Sequence, residues 1–142
     1  MTDAAPAGST VSLDLVWEGD LRFRGRSGDV ELVLDSDAQA GPSPVQALAF
    51  ALAGCMAIDV VHILRKGRLD LRGLRAELVA ERAPRDPRRL VRVRLHFRVT
   101  GDVSADKVER AIALSRETYC SVWHSLRPDL DFTTSFDVTT AS

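Results

Sequence analysis

The sequence holds little cysteine: Cys55 and Cys120 are the only two among 142 residues. That excludes the dense disulfide framework on which small secreted domains rely. The two do not form a CxxC pair, so thioredoxin-type exchange is not indicated. Charge of one sign is also lacking. The formal net charge is −1, so no overall attraction to nucleic acid or to an anionic membrane is expected. The N-terminal stretch MTDAAPAGST has no basic segment followed by an apolar one, and so does not read as a signal peptide. It is small and polar, and residues 1–10 are expected to be disordered. There is no internal repeat and no low-complexity tract. The length fits a single domain over residues 1–142 with a real core. The compartment these features suit is a reducing cytoplasm, where a cysteine pair is more often catalytic, redox-active or metal-binding than structural.

One long hydrophobic run is present. Ser43–Arg65, SPVQALAFALAGCMAIDVVHILR, opens with Ser43 and Pro44, which suit an N-cap and the first helical position. Val45, Leu48, Leu52, Cys55, Met56, Val60, Ile63 and Leu64 recur at helical spacing, and alanines fill the other faces. A helix apolar almost all round is buried on nearly every side. Gln46, Asp59 and His62 interrupt the run, which argues against a membrane span. Basic residues and Gly67 mark its end.

The rest of the chain is organised around this helix. Period-two alternation predicts strands at Val11–Trp17, Leu21–Gly25 and Val30–Leu34, separated by turns and forming an antiparallel meander. After the helix, strands are predicted at Leu74–Ala83 and Leu90–Thr100. In the second, Val91, Val93, Leu95, Phe97 and Val99 face inward, and Arg92, Arg94, His96 and Arg98 face outward. The arginine-rich run Arg82–Arg94 reads as a charged loop followed by the solvated face of that strand. Ser104 is a good N-cap for a helix Ala105–Thr118, with a stripe of Val108, Ala111, Ile112, Ser115 and Tyr119. A short helical turn within Ser121–Leu126 and a strand Asp131–Thr139 complete the chain. The order gives an α+β fold, with antiparallel sheets packed around a long buried central helix and a second helix. Covering so apolar a helix requires a second copy, as an intimate homodimer.

Cys55 lies within the apolar helix, where burial alone raises a thiol's pKa and leaves it inert. A nucleophilic Cys55 needs a cation beside it, and Arg22, Arg24 and Arg26 of the meander are the available ones. The bland reading is that both cysteines are small apolar core fillers. Asp59 follows Cys55 by four residues and shares its helical face, suited to pairing with an arginine or capping a subunit contact. His124 stands four residues after Cys120, and together with Cys55 and Asp59 these are the residues available for a zinc site. The short-spaced ligand pairs typical of structural zinc are absent, so neither metal nor cofactor is expected. His62 and His96 suit the surface or an interface. Trp17, Phe23, Phe50, Tyr119 and Trp123 suit core or pocket lining.

The segment SPVQALAFALAGCMAIDVV, the later LSRETYCSV and the strand order around them resemble the OsmC/Ohr family, most closely its uncharacterised YhfA-like branch. The resemblance runs from about residue 13 to residue 138. It implies a thiol peroxidase fold, an interlocked homodimer with its sites at the subunit interface. It further implies that Cys55 is the peroxidatic cysteine, attacking the O–O bond of an organic hydroperoxide to become a sulfenic acid. Cys120 is then the resolving cysteine, and a dithiol reductant restores both thiols. An N-terminal arginine holds the thiolate, Arg22 as first choice and Arg24 as second. Gln46, Arg24, Phe50 and Tyr119 are the expected substrate-binding residues. The chain departs from the family at Val45, where its peroxidases carry a glutamate that holds the arginine. Gln46 beside it can hydrogen-bond an arginine but cannot form a salt bridge. The alternative to a peroxidase is a non-catalytic dimeric module that binds an apolar small molecule, again without nucleic acid or membrane as partner.

Overall fold

The computed structural model describes residues 8–140, and the chain divides into two compact units, Met1–Ala47 and Leu48–Ser142. Residues 1–7 of the segment expected to be disordered lie outside the described residues, and 8–10 carry no regular structure.

The first unit is the meander. Strands β1 (Asp14–Gly19), β2 (Arg22–Ser27) and β3 (Val30–Asp35) pair antiparallel in that order. Leu15 stands opposite Gly25, and Trp17 opposite Phe23. Trp17 and Phe23, expected as core or pocket lining, are both exposed in the single chain. Three strands are too few to enclose both faces, so the apolar residues of the alternation stay open within this unit.

A loop leads from β3 to the central helix. Asp35 organises it: its carboxylate accepts backbone N–H bonds from Asp37 at 3.0 Å, Gln39 at 3.3 Å and Ala40 at 3.0 Å. Gly41 then passes so close to the backbone of Val33 that any side chain there would collide with its carbonyl. The N–H groups, led by that of Ala40, hold the Asp35 carboxyl below the usual carboxylate range, with Arg22 adding a smaller effect by charge. A depressed folded pKa means that the loop's stabilisation is present above the unfolded value of about 3.9 and is lost as pH falls through the lower folded value. Amide exchange at Asp37, Gln39 and Ala40 is therefore expected to be slow near neutrality and to lose its protection on acidification below about pH 3.9, once intrinsic exchange is corrected for. Asp35→Ala removes the protection at every pH.

Helix α1 runs Pro44–Lys66. Its start is a capping box: Ser43 Oγ accepts from the Gln46 N–H at 3.2 Å, and Gln46 Oε1 accepts from the Ser43 N–H at 3.0 Å. Only one stripe, Leu52, Met56, Val60 and Leu64, is fully buried. Leu48, Phe50 and Ile58 are exposed, Phe50 at 72%. Burial on nearly every side is thus corrected for the single chain. One sheet face can cover only one stripe of a cylinder, and the remaining apolar surface is open. By length and composition α1 is also long and apolar enough to cross a membrane, but its buried stripe belongs to the core of the second unit.

That unit is built on strands β4 (Asp70–Arg82), β5 (Leu90–Asp102) and β6 (Asp131–Thr139), ordered β4-β5-β6. β4 and β5 pair antiparallel, but β6 runs parallel to β5, correcting the expectation of antiparallel sheets throughout. The cause is the long connection between them, which carries helix α2 (Ala105–Leu114) and returns the chain to the starting end of β5. Gly101 sits at positive φ (144°) near the irregular end of the β4–β5 ladder, where a side chain would strike the Asp70 carbonyl.

Val93, Leu95, Phe97 and Val99 of β5 form the inner face, packed with the α1 stripe and with Val108, Ala111 and Ile112 of α2. On the outer face Arg92 pairs with Glu81 at 2.9 Å and Asp131 at 3.2 Å, while Arg98 pairs with Glu77 at 2.9 Å and Asp137 at 3.2 Å. His96 bonds Ser135 at 2.7 Å and Asp137 at 2.8 Å. These arginines are matched by carboxylates on neighbouring strands and make no unpaired cationic stripe.

Candidate functional site

Past Leu114 the helix widens into a single π turn, Ser115–Tyr119, closed by a bond from the Cys120 N–H to the Ser115 carbonyl at 2.7 Å. In an α-helix two residues five apart diverge by about 140°. The wider turn brings Ser115 and Cys120 back toward one side, and both are fully buried. The same turn swings Tyr119 out to 56% exposure. Tyr119 therefore leaves the buried stripe in which regular spacing placed it. π turns of this kind recur at functional sites.

Cys120 then leaves helical geometry (φ −72°, ψ 97°) and caps α3 (Ser121–His124), its Sγ accepting the Trp123 N–H at 3.3 Å. Trp123, half-buried, stacks at a tilt on Phe132 with centroids 4.7 Å apart. The Arg116 guanidinium covers both rings. Of the five aromatics expected as core or pocket lining, Trp123 is the one packed this way.

The buried Ser115 hydroxyl donates to Asp59 Oδ2 at 2.7 Å. Asp59 lies one turn beyond Cys55 on α1. The Sγ of Cys55, a carboxylate oxygen of Asp59 and the Sγ of Cys120 all fall within 4.8 Å of one another. Two cysteines 65 residues apart thus meet, both as free thiols. Cys55 is half-buried and Cys120 fully buried. Burial pushes the Cys120 thiol up to about 11, with the Cys55 sulfur and the Asp59 carboxylate adding to the rise and the Trp123 N–H opposing it. Cys120 is thus held as a protonated thiol at neutral pH.

The other candidates are placed as follows. Asp59 pairs with Ser115 rather than with an arginine of its unit. Ser115 is the residue that sequence reasoning passed over as part of the apolar stripe; a hydroxyl at a core-facing position was the available signal. Gln46 sits in the α1 capping box, where its side-chain oxygen accepts from the Ser43 N–H. Phe50 points into the open. Tyr119 lines a cavity of about 540 Å³ with Asp59, His62, Ile63, Lys66, Gly67 and Leu114. In the meander Arg24 is held by Glu18 at 3.0 Å and Glu31 at 3.6 Å. Arg22, half-buried and in register with Asp35, makes no ion pair among the described residues of its unit. His124 is not among the clustered groups.

The α+β fold has known relatives, and they give the class its name. Residues 35–135 match the family profile described as OsmC-like protein. The chain belongs to the OsmC family, which includes organic hydroperoxide resistance proteins. Protein YhfA of Escherichia coli strain K12 is 40% identical over 129 residues, covering 88% of this chain and 96% of its own. The crystal structure of a hypothetical protein from Aquifex aeolicus VF5 superposes with a TM-score of 0.88 at 23% identity, over 95% of this chain and 100% of the other. An organic hydroperoxide resistance protein OsmC from Legionella pneumophila shares the fold, with a TM-score of 0.70 at 18% identity over 94% and 100%.

Proposed function

We propose that the protein is a cysteine-based, thiol-dependent peroxidase that reduces organic hydroperoxides. The observation that carries this reading is the meeting of the Cys55 and Cys120 sulfurs within 4.8 Å. A disulfide requires about 2.05 Å, so closure brings the sulfurs together by less than about 2.8 Å. In the reaction the Cys55 thiolate attacks the O–O bond. It takes one oxygen as Cys55–SOH, and the other leaves as the alkoxide, which picks up a proton to become the alcohol. Cys120 then attacks the sulfenic sulfur, gives up its proton and expels water, forming the disulfide. The two electrons lost by the sulfurs are those gained by the peroxide, and a dithiol reductant returns them by exchange. Cys55, half-exposed, is suited to meeting the peroxide. Cys120, buried and protonated, is suited to wait for the sulfenic acid.

Arg22 is the candidate to hold the Cys55 thiolate, because Arg24 is already engaged by two glutamates. The exposed Leu48, Phe50 and Ile58 of α1 support a homodimer in which a second copy covers them. Free thiols suit a reducing cytoplasm. The test is incubation of the reduced protein with cumene hydroperoxide, following peroxide consumption and free thiols together. The expected result is loss of both thiols per peroxide consumed. In Cys120→Ser the oxidation is expected to stop at a sulfenic acid that dimedone traps. Thiols that survive excess peroxide overturn the reading.

A second reading rests on the cavity of about 1010 Å³ beside α1, lined by Ala57, Ile58, Val61, His62, Arg65, Lys66 and Leu74. In it the protein is a non-catalytic dimeric module holding an apolar small molecule, consistent with Val45 in place of the family's glutamate. Native mass spectrometry after gentle purification distinguishes them. A dimer carrying a ligand and lacking turnover supports the second reading, and an unliganded dimer with robust turnover excludes it.

A further inference from the structure

We propose that, with both thiols reduced, Cys55, Asp59 and Cys120 form a three-ligand site for a thiophilic divalent cation, foremost Zn²⁺. This goes beyond the peroxidase reading, and the site would exist whether or not the cysteines turn over peroxide. Two sulfurs and a carboxylate oxygen are a ligand set that Zn²⁺ accepts, and three protein ligands with an open fourth position are the pattern of its non-structural sites. The three atoms lie within 4.8 Å of one another. Tetrahedral Zn²⁺, with sulfur at about 2.3 Å, places its sulfurs about 3.8 Å apart. The two sulfurs therefore need to approach by at most about 1 Å, and sulfur and carboxylate oxygen by at most about 1.3 Å. Asp59 also lines the cavity bounded by His62, Leu114 and Tyr119. Asp59 is thus the member of the set that borders open space.

The surrounding bonds support the ligands independently of the cluster. The Ser115 hydroxyl fixes one oxygen of Asp59 at 2.7 Å, leaving the other free to ligate. The Trp123 N–H fixes the Cys120 sulfur at 3.3 Å. Outer bonds of this kind orient metal ligands and tune them. No arginine, lysine or histidine among the described residues of this unit forms an ion pair with Asp59. The spacing of four and 61 residues is unlike the short-spaced pairs by which zinc sites are recognised, so the sequence ranks the set low, and His124 is not part of the cluster.

Binding consumes no electrons: two S–H bonds break, two S–Zn bonds form and up to two protons go to solvent. Because the metal and the disulfide need the same sulfurs, each state excludes the other. The test adds one equivalent of Zn²⁺ to the fully reduced, full-length protein without oxygen, removes unbound metal by gel filtration and measures zinc and protein in the same fractions. About one zinc per chain is expected, and none after the cysteines have been oxidised to the disulfide. Cys55→Ser and Cys120→Ser are expected to elute without metal. Ser115→Ala, which leaves all three ligands in place, is expected to bind about 10–100-fold more weakly in a competition titration. Cobalt(II) should give sulfur-to-metal charge-transfer absorption in the parent chain and lose it in either cysteine variant. Circular dichroism confirms that each variant is folded. A folded, reduced parent that elutes without zinc overturns the proposal. So does zinc retained equally by both cysteine variants, which would place the ion on surface histidines.

Discussion

Cys55→Ser is expected to reduce hydroperoxide turnover by a factor on the order of 10³ or more, to the background of protein-free buffer. The serine hydroxyl is not ionised near neutral pH and cannot form a sulfenic acid, so both the attack and the electron transfer are lost. The substitution is nearly isosteric and sits at a half-buried position, so the fold is expected to persist. Cys120 alone does not substitute for Cys55. It is fully buried, and its thiol is pushed up to about 11, chiefly by that burial. The measurement is the initial rate of peroxide loss with a dithiol reductant in excess, at equal protein concentration. Unaltered turnover in Cys55→Ser would remove Cys55 from the chemistry and with it the peroxidase reading.

Phe97→Ala is expected to cost about 3–5 kcal/mol of folding stability, among the largest effects of any single substitution in this chain. Phe97 is 0% exposed in the middle of β5, the central strand of its sheet, with Ala76 opposite on β4 and Phe136 opposite on β6. The small Ala76 leaves the space that the ring fills, and a rigid sheet collapses poorly around a void. Against a typical domain stability of about 5–15 kcal/mol this is a large fraction. Urea unfolding of the reduced protein, followed by tryptophan fluorescence, should show a midpoint about 2 M lower. A shift of a few tenths molar would mean that the core is not centred on this strand.

Much of this architecture was legible in the sequence because it rests on periodicity. The alternation in Leu90–Thr100 gives β5 and its two faces, and the apolar run with its Ser-Pro start gives α1. Ser104 marks α2 correctly, its Oγ accepting the Lys107 N–H. What periodicity misses are the places where regularity breaks. The direction of β6 depends on where a long connection returns the chain, which no local pattern encodes. The π turn inserts one residue into a helical repeat. That insertion exposes Tyr119 and buries Cys120, the reverse of what even spacing predicts for Tyr119. Gln46 was read for its amide chemistry, and its position three residues after Ser43 also puts its side-chain oxygen in the helix cap. The candidate site follows the same division. The resemblance pointed to both cysteines, but the roles of Asp59 and Ser115 depend on a contact between elements 56 residues apart.

The most direct test is a peptide map of the reduced protein after a single equivalent of organic hydroperoxide, with free thiols blocked before digestion. The account predicts one linked pair of peptides, carrying Cys55 and Cys120 and lacking two hydrogens relative to the reduced pair. It also predicts one alcohol released per link. Both peptides recovered separately with blocked thiols, or Cys55 oxidised to sulfinic acid while Cys120 stays free, would contradict it.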